Sequence, residues 1–487
     1  MTRRDPAVAI VGAGMSGLCV AIALLRNGIT NITIYEKADE VGGTWRENTY
    51  PGLTCDVPSR FYQYTFDKNP DWTHLFSPGP EIQTYLRGVA DRHALRDRIR
   101  FGTEIVSARF DAGRWVLRTD AGAESTADFL ISATGVLHHP RIPAIAGLAD
   151  FGGTVFHSAR WDHRVPLRGR RIAVIGTGST GVQIICGLAG LAGKLLMFQR
   201  TAQWILPLPN PRYSRLASVC HRAVPWLGWA AYRAYSLVFE LLAAAVTRPG
   251  WQRKLMGAVC RANLRTVRDP GLRRALTPDY QPMCKRLVMS GGFYRAMQRD
   301  DVELVTAGID HVEHRGIVTD DGVLHEADII VLATGFDTHA FFRPMRLTGR
   351  DGIVADDVWR DGPRAHQTVA MPGFPNFFMM LGPHSPVGNF ALTAVAESQA
   401  DHILQWIQRW RRDEFDTVEP TSSATETFNA ELRAAMPNTV WTTGCDSWYL
   451  GKDGVPEVWP FTPARHRTML ANPDPEQYEL RRTLSEA

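Results

Sequence analysis

Two glycine-rich loops, 164 residues apart, restrict the folds open to this chain more than any other feature. Val8-Ala-Ile-Val runs into Gly12-Ala-Gly-Met-Ser-Gly17, and Arg171-Ile-Ala-Val-Ile runs into Gly176-Thr-Gly-Ser-Thr-Gly181. Each short β-branched run reads as a strand buried on both faces. Each loop is followed by a segment of helical composition, Cys19 to Arg26 and Val182 to Leu191. A second strand comes next, Ile32 to Glu36 and Leu195 to Phe198. In such a unit the first glycine makes the tight turn and the second lets a pyrophosphate approach the backbone. The third allows helix and strand to pack closely. The free N–H groups at the helix start complete an anion site. A lone match would be weak. Two matches, each in the same local context, predict two dinucleotide-binding units.

The units differ at one informative position. Counting 24 residues from the first glycine gives Glu36 in one and Arg200 in the other. A carboxylate there accepts hydrogen bonds from a ribose and repels a 2′-phosphate, whereas a guanidinium grips that phosphate. The first unit is therefore expected to hold a dinucleotide with a free ribose through Gly12, Gly14, Met15, Ser16, Gly17, Glu36 and Lys37. The second is expected to hold NADP(H) through Gly176, Gly178, Ser179, Thr180, Gly181, Arg200 and Thr201. Two further strands, Phe129 to Gly135 and Ile329 to Gly335, share the ending Ala-Thr-Gly and suggest that the two units are nested.

Composition trims the remaining options. At 487 residues the chain exceeds one core. Its net charge of +4, read as spread evenly, argues against nucleic acid as a partner. Seven cysteines, an odd number with no C-x-x-C pair, argue against a disulfide framework or zinc site. Each reads as a small buried hydrophobe in a reducing, cytoplasmic setting, with no metal expected. Two different dinucleotides leave flavoprotein reductases, disulfide reductases and flavin monooxygenases. A disulfide reductase of the glutathione type would need C-x₄-C near its first helix, and Cys55 has no such partner.

Residues 206–282, rich in Ala, Leu, Arg, Trp and Tyr, read as a helical insertion. The longest apolar stretch, Ala234 to Thr247, is interrupted by Glu240 and is too short to span a bilayer. Trp204, Trp226, Trp229, Tyr232 and Tyr235 admit three readings: core, the favoured one; the lining of an apolar pocket; or a weak peripheral membrane contact ringed by Arg222, Arg233 and Arg248.

Phe151-Gly-Gly-Thr-Val-Phe-His157-Ser-Ala-Arg-Trp161-Asp162 resembles the type I Baeyer–Villiger monooxygenase fingerprint, F-x-G-x-x-x-H-x-x-x-W-P/D. It matches at Phe151, Gly153, His157, Trp161 and Asp162, just ahead of the second glycine loop. The resemblance extends along nearly the whole chain. Gly42-Gly43-Thr44-Trp45, Tyr50-Pro-Gly52 and Cys55-Asp56-Val-Pro-Ser59, with Tyr62, are similar to the run that wraps the flavin, and Asp56 matches a carboxylate near the isoalloxazine. Cys284-Lys285-Arg286 resembles the family's Lys-Arg pair. That match implies a second cation for the 2′-phosphate at Lys285 and the active-site arginine at Arg286. Gly382-Pro-His-Ser-Pro386 with Asn389 resembles the C-terminal FAD contact, and Trp448-Tyr-Leu-Gly451 the segment whose tryptophan reaches the nicotinamide-side ribose. Lys452-Asp-Gly-Val-Pro456 departs from the family's Ala-Asn-x-Pro-Gly, which leaves the substrate-side loop undefined.

The resemblance implies an α/β fold with two Rossmann-like dinucleotide-binding domains, for FAD and NADP, and a helical insertion. The expected divisions are 1–145 (FAD domain, first part), 146–162 (linker with the fingerprint), 163–205 (NADP domain, first part), 206–282 (insertion), 283–365 (NADP domain, second part) and 366–487 (FAD domain, second part). The implied activity is insertion of oxygen beside a ketone carbonyl through a C4a-peroxyflavin, using NADPH and O₂, to give an ester or lactone. Arg286 and Asp56 are its catalytic residues. S- or N-oxygenation on the same scaffold is the alternative, and an NADPH oxidase or redox sensor a second one.

Overall fold

The computed structural model describes residues 5–388 and 390–482; Asn389, expected to touch FAD, lies outside them. Each glycine loop leaves the middle strand of its own five-stranded parallel sheet. In the first sheet the order is Phe377–Met379, Phe129–Ser132, Val8–Val11, Ile32–Tyr35 and Ile99–Arg100, with Val8 in register with both Ile32 and Phe129. In the second it is Val302–Val305, Lys194–Phe198, Arg171–Ile175, Ile329–Leu332 and Thr154–His157. Val8–Val11 is buried throughout, which is why it alternates no polar residue. In both sheets strand order reverses at the middle strand, so each loop opens at the crevice where such folds bind ligands.

The third glycine of each motif is obligatory here. A Cβ at Gly17 would collide with the Gly12 carbonyl oxygen, and one at Gly181 with that of Gly176. Helices Met15–Arg26 and Ser179–Leu188 thereby seat against their own strands, beginning four and three residues earlier than their composition suggested. The strand Phe377–Met379 returns from late in the chain to the edge of the first sheet, and helix Leu392–Arg411 packs on Met15–Arg26. The fingerprint contributes Thr154–His157 as an edge strand of the second sheet, paired with Ile329–Leu332.

Two antiparallel meanders accompany the parallel sheets: Ile105–Asp111, Arg114–Thr119 and Glu124–Ala127, and Ile309–Glu313, Gly316–Thr319 and Leu324–Glu326. The segment at 206–282 is helical over Arg215–Ala223, Pro225–Thr247, Trp251–Leu264 and Pro270–Ala275. Pro225 opens the longest helix in the one turn that tolerates its missing N–H, and Pro249-Gly250 follow its end. Among the described residues no helix is long and apolar enough to cross a membrane.

Three expectations are corrected. Trp226 and Trp229 are not core: they are 65% and 55% exposed, while Trp204 and Tyr232 are buried. Nor is charge spread evenly. Residues 206–268 hold ten Lys and Arg against the single acid Glu240, a net +9 in a chain of +4, which leaves −5 for the remainder. Cys284 and Cys445 are not isolated hydrophobes but form a disulfide across 161 residues, their Cα atoms 6.1 Å apart. Spacing rules read pairs that are close in sequence, and this one is made only by tertiary folding.

Candidate active site

The first loop is held ready for an anion. Glu36, at the end of Ile32–Tyr35, is buried, and its carboxylate accepts from Ala13 N at 2.8 Å and Ala38 N at 2.9 Å. Backbone donors fix its rotamer at the loop and leave lone pairs for a ribose hydroxyl. Gly42 N donates to the Ala13 carbonyl at 3.1 Å, drawing the Gly42-Gly43 turn onto the loop. There Gly43 takes φ +54°, and a Cβ on it would stand 3.1 Å from Gly14 Cα. Thr44 and Trp45 begin the turn of helix Thr44–Glu47 that follows. Trp45 Nε1 donates to the Tyr62 hydroxyl at 3.1 Å, with the rings edge-on. Met15 and Ser16 form the first helical turn, where amide N–H groups have no partner within the helix. A glycine cradle, a positioned carboxylate and a free helix start fit an adenosine dinucleotide. Lys37 is exposed, with Nζ 3.4 Å from His138 Nδ1.

The second loop repeats the cradle with opposite charge beside it. A Cβ at Gly178 would meet nothing within 4 Å, so the backbone there faces open space in front of Ser179 and Thr180. Thr177 Oγ1 donates to the Thr201 carbonyl at 2.7 Å and ties the loop to the end of the next strand. Arg200 is exposed beside it, with no ion pair among the described residues. Lys285, more than 80 residues away in sequence, comes close to it, with Nζ 5.0 Å from the centre of the Tyr280 ring. Burial depresses the Lys285 pKa and the Arg200 charge adds to that, while Asp446 opposes it. Two cations kept together against their repulsion fit the 2′-phosphate expected there.

The two units meet directly. Tyr50-Pro-Gly52 lies against helix Ser179–Leu188: a Cβ at Gly52 would collide with the Gln183 carbonyl oxygen, and one at Gly187 with Pro51. The Tyr50 hydroxyl donates to Gln183 Oε1 at 2.9 Å, and Gln183 Nε2 donates to the Thr54 carbonyl at 2.9 Å. The fingerprint borders the same seam. Gly153 has no room for a Cβ beside the Asp328 carbonyl. His157 Nδ1 accepts from Ala159 N at 3.1 Å, and burial holds the ring below its usual pKa. Trp161 packs edge-on to Phe156, and Asp162 pairs with Arg164. His163 bonds Thr49 across the seam at 2.8 Å. His157 therefore serves packing and connection here.

At this junction Arg286 meets Asp56. Its Nε and Nη2 donate to Asp56 Oδ2 at 3.0 and 2.6 Å, and Nη1 donates to the Val387 carbonyl at 3.0 Å. Both side chains are about one-third to one-quarter exposed, 34% and 24%. The Asp56 carboxylate raises the Arg286 pKa still further, outweighing burial, so the guanidinium stays charged throughout the working pH range. Tyr449 adds a side-chain hydrogen bond to Arg286, and burial raises its own pKa. Next to it Trp448 is 39% exposed on a cleft shared with Leu381, His384 and Val387. Burial lowers the His384 pKa to about 4, so the ring is neutral near pH 7. The Cys284–Cys445 disulfide ties the Lys285-Arg286 segment to the Trp448-Tyr449 loop.

Arg286 and Asp56 are thus brought together, as are Arg200 and Lys285. Tyr449, Val387 and Gln183 were not anticipated. Tyr449 sits inside the Trp448-Tyr-Leu-Gly451 match, which singled out only the tryptophan; Val387 acts through a carbonyl, on which sequence is silent.

The flavin-binding monooxygenase-like family matches residues 5–345. A Baeyer–Villiger monooxygenase of Streptomyces coelicolor is 37% identical over 98% of this chain and 92% of its own length. An uncharacterized monooxygenase of Mycobacterium tuberculosis is 79% identical over 99% of this chain and 97% of its own. Among solved structures, cyclohexanone monooxygenase from Rhodococcus sp. Phi1 bound to NADP+ superposes with TM-score 0.88 at 29% identity, covering 98% of this chain and 99% of that one. An oxidized steroid monooxygenase bound to NADP gives 0.89 at 31% identity, covering 98% and 100%.

Proposed function

The chain belongs to the flavin-binding monooxygenase-like family, and on that premise we propose that it is an FAD- and NADPH-dependent monooxygenase of the Baeyer–Villiger type, inserting one atom of O₂ beside a ketone carbonyl to give an ester or lactone. The overall change is ketone, O₂, NADPH and H⁺ to ester, NADP⁺ and water. FAD belongs on the Gly12–Gly17 loop with its ribose at Glu36, and NADPH on the Gly176–Gly181 loop with its 2′-phosphate between Arg200 and Lys285.

The observation that carries the proposal is the Arg286–Asp56 pair at the seam between the two loops. When bound, the flavin accepts electrons from the nicotinamide and passes them to O₂. What this chain adds is position and field. Attack on a ketone carbonyl builds negative charge on oxygen, and a preorganised cation lowers that barrier without reorganising at the moment of reaction. Arg286 supplies a cation that cannot lose its proton. Asp56 and the Val387 carbonyl hold three of its five N–H groups and Tyr449 a fourth, leaving one for the substrate side. Soft sulfur or nitrogen nucleophiles would need no such fixed cation.

The test is to incubate the FAD-loaded enzyme with NADPH, air and a panel of linear, cyclic and steroidal ketones, and to follow products by mass spectrometry. Ester or lactone from at least one ketone is expected. Sulfoxide or N-oxide alone from a parallel sulfide and amine panel would replace the proposal with S- or N-oxygenation. NADPH consumption matched by H₂O₂ with every compound would replace it with an oxidase.

A further inference from the structure

The insertion carries an apolar surface that the oxygenation chemistry does not use. On helix Pro225–Thr247 the exposed positions Trp226, Trp229, Arg233, Leu237 and Leu241 recur every three or four residues and so form one stripe. Its only charge, Arg233, lies with Cζ 5.2 Å from the Trp229 ring. The opposite side of the helix is committed to the protein: Tyr232 and Phe239 pack on Phe61, with ring centres at 5.1 and 5.3 Å. Glu240, the sole acid of residues 206–268, is taken up by the protein, bonding Ala464 N and Arg467 of helix Pro463–Ala471. The next helix, Trp251–Leu264, exposes Trp251 at 68% and Leu255 at 53%, and the first exposes Leu216 at 71%. These are too large and too many to be scattered surface residues.

Charge decides what covers this face. Arg215, Arg233, Arg248, Lys254, Arg261 and Arg265 are all exposed. On helix Trp251–Leu264 the 100° step per residue sets Lys254, Arg261 and, just beyond its end, Arg265 immediately beside the Trp251, Leu255 stripe. Arg261 and Arg265 also line a cleft of about 390 Å³ together with Arg273 and Arg274. A second copy docking on the same face would set these cations against their own copies, which a two-fold contact cannot relieve. Duplex nucleic acid would leave the leucines and tryptophans unsatisfied. A bilayer with anionic lipid answers both halves: tryptophans and leucines enter the headgroup–acyl boundary, and arginines meet lipid phosphates.

We propose that the outer face of the insertion docks the protein onto an anionic membrane surface, with Trp226, Trp229 and Trp251 as the anchors and the exposed arginines as the selectors of charge. The protein lies on the bilayer and does not span it. Helix Pro225–Thr247 then separates bilayer from enzyme interior, one face on each.

The experiment is co-sedimentation of the FAD-loaded enzyme with phosphatidylcholine vesicles with and without phosphatidylglycerol, beside W226S/W229S/W251S and R261E/R265E. All these side chains are exposed, and flavin absorbance reports that each variant is folded. The wild type should pellet with the phosphatidylglycerol vesicles and much less with phosphatidylcholine alone, and added salt should release it. The tryptophan variant should partition at least about tenfold more weakly, and the arginine variant should lose the preference for anionic lipid. No pelleting with anionic vesicles would overturn the proposal, as would wild-type partition by the tryptophan variant. Light scattering that finds a dimer, abolished in the tryptophan variant, would assign this face to a second copy instead.

Discussion

Replacing Arg200 with alanine should change which nicotinamide nucleotide the enzyme uses, and the size of the effect follows from the site. Arg200 is exposed with no ion pair among the described residues, and it comes close to Lys285, whose pKa burial and the Arg200 charge lower against the opposing pull of Asp446 and Asp279. A phosphate dianion between them would relieve that repulsion. A hydrogen bond to a charged group contributes about 1.5–3 kcal/mol, and solvent screening at an exposed arginine favours the lower end. At about 1.4 kcal/mol per tenfold, R200A should lower kcat/KM for NADPH by roughly 10- to 30-fold. NADH has no 2′-phosphate and should change by about twofold or less. K285A should act in the same direction, and the double variant should show coupling, because the two cations share one anion. Stopped-flow reduction of the bound flavin by each nucleotide isolates this step from oxygen chemistry. Raising ionic strength should narrow the wild-type preference for NADPH and leave R200A nearly flat. Equal losses with NADPH and NADH would refute the assignment, since a residue that merely supports the fold affects both.

Three other outcomes follow from the described contacts. R286A should cut ester formation by about 10²–10³-fold while NADPH still reduces the flavin at near its normal rate, and undiminished esterification would remove Arg286 from the chemistry. Thiol titration of the denatured, unreduced protein should find five cysteines and not seven; C445S should also lower stability to urea by about 2–4 kcal/mol. Glu397, which accepts from Thr65 N and Oγ1, has its pKa raised by burial from 4.5 to about 7. An acid raised in the folded state contributes stability below its unfolded pKa and loses it as pH climbs through the folded one. Unfolding free energy should therefore fall by roughly 1–2 kcal/mol between about pH 5 and 7.5, and E397Q should abolish that slope.

Much of this was legible in the sequence because it is local. Turn, pyrophosphate approach and helix seating each demand glycine at a fixed place, so Gly12 to Gly17 and Gly176 to Gly181 announce their strands and helices. The equal offset of Glu36 and Arg200 works for the same reason, since the second strand of each unit ends at the same place in the fold. The meanders are hard to read because strands of three to seven residues with mixed faces barely differ from loop; their turn signals are the lone glycines Gly113, Gly122 and Gly322. The helical composition of the insertion is legible, but periodicity cannot say which side of an amphipathic helix meets the protein, and Trp226 and Trp229 lie on the outer side. Arg286 stood in a run of cations with nothing local to distinguish it. The resemblance of Cys284-Lys285-Arg286 to the family's Lys-Arg pair marks it, and the fold sets Asp56 and Tyr449 beside it across 230 and 163 residues.

The most direct measurement supplies ¹⁸O₂ with NADPH and a ketone that the enzyme turns over, and counts label in the product. The account predicts one ¹⁸O per ester, placed at the bridging oxygen, with about one NADPH consumed for each ester formed. Unlabelled ester, or NADPH oxidation that ends in H₂¹⁸O₂ with the ketone unchanged, would contradict it.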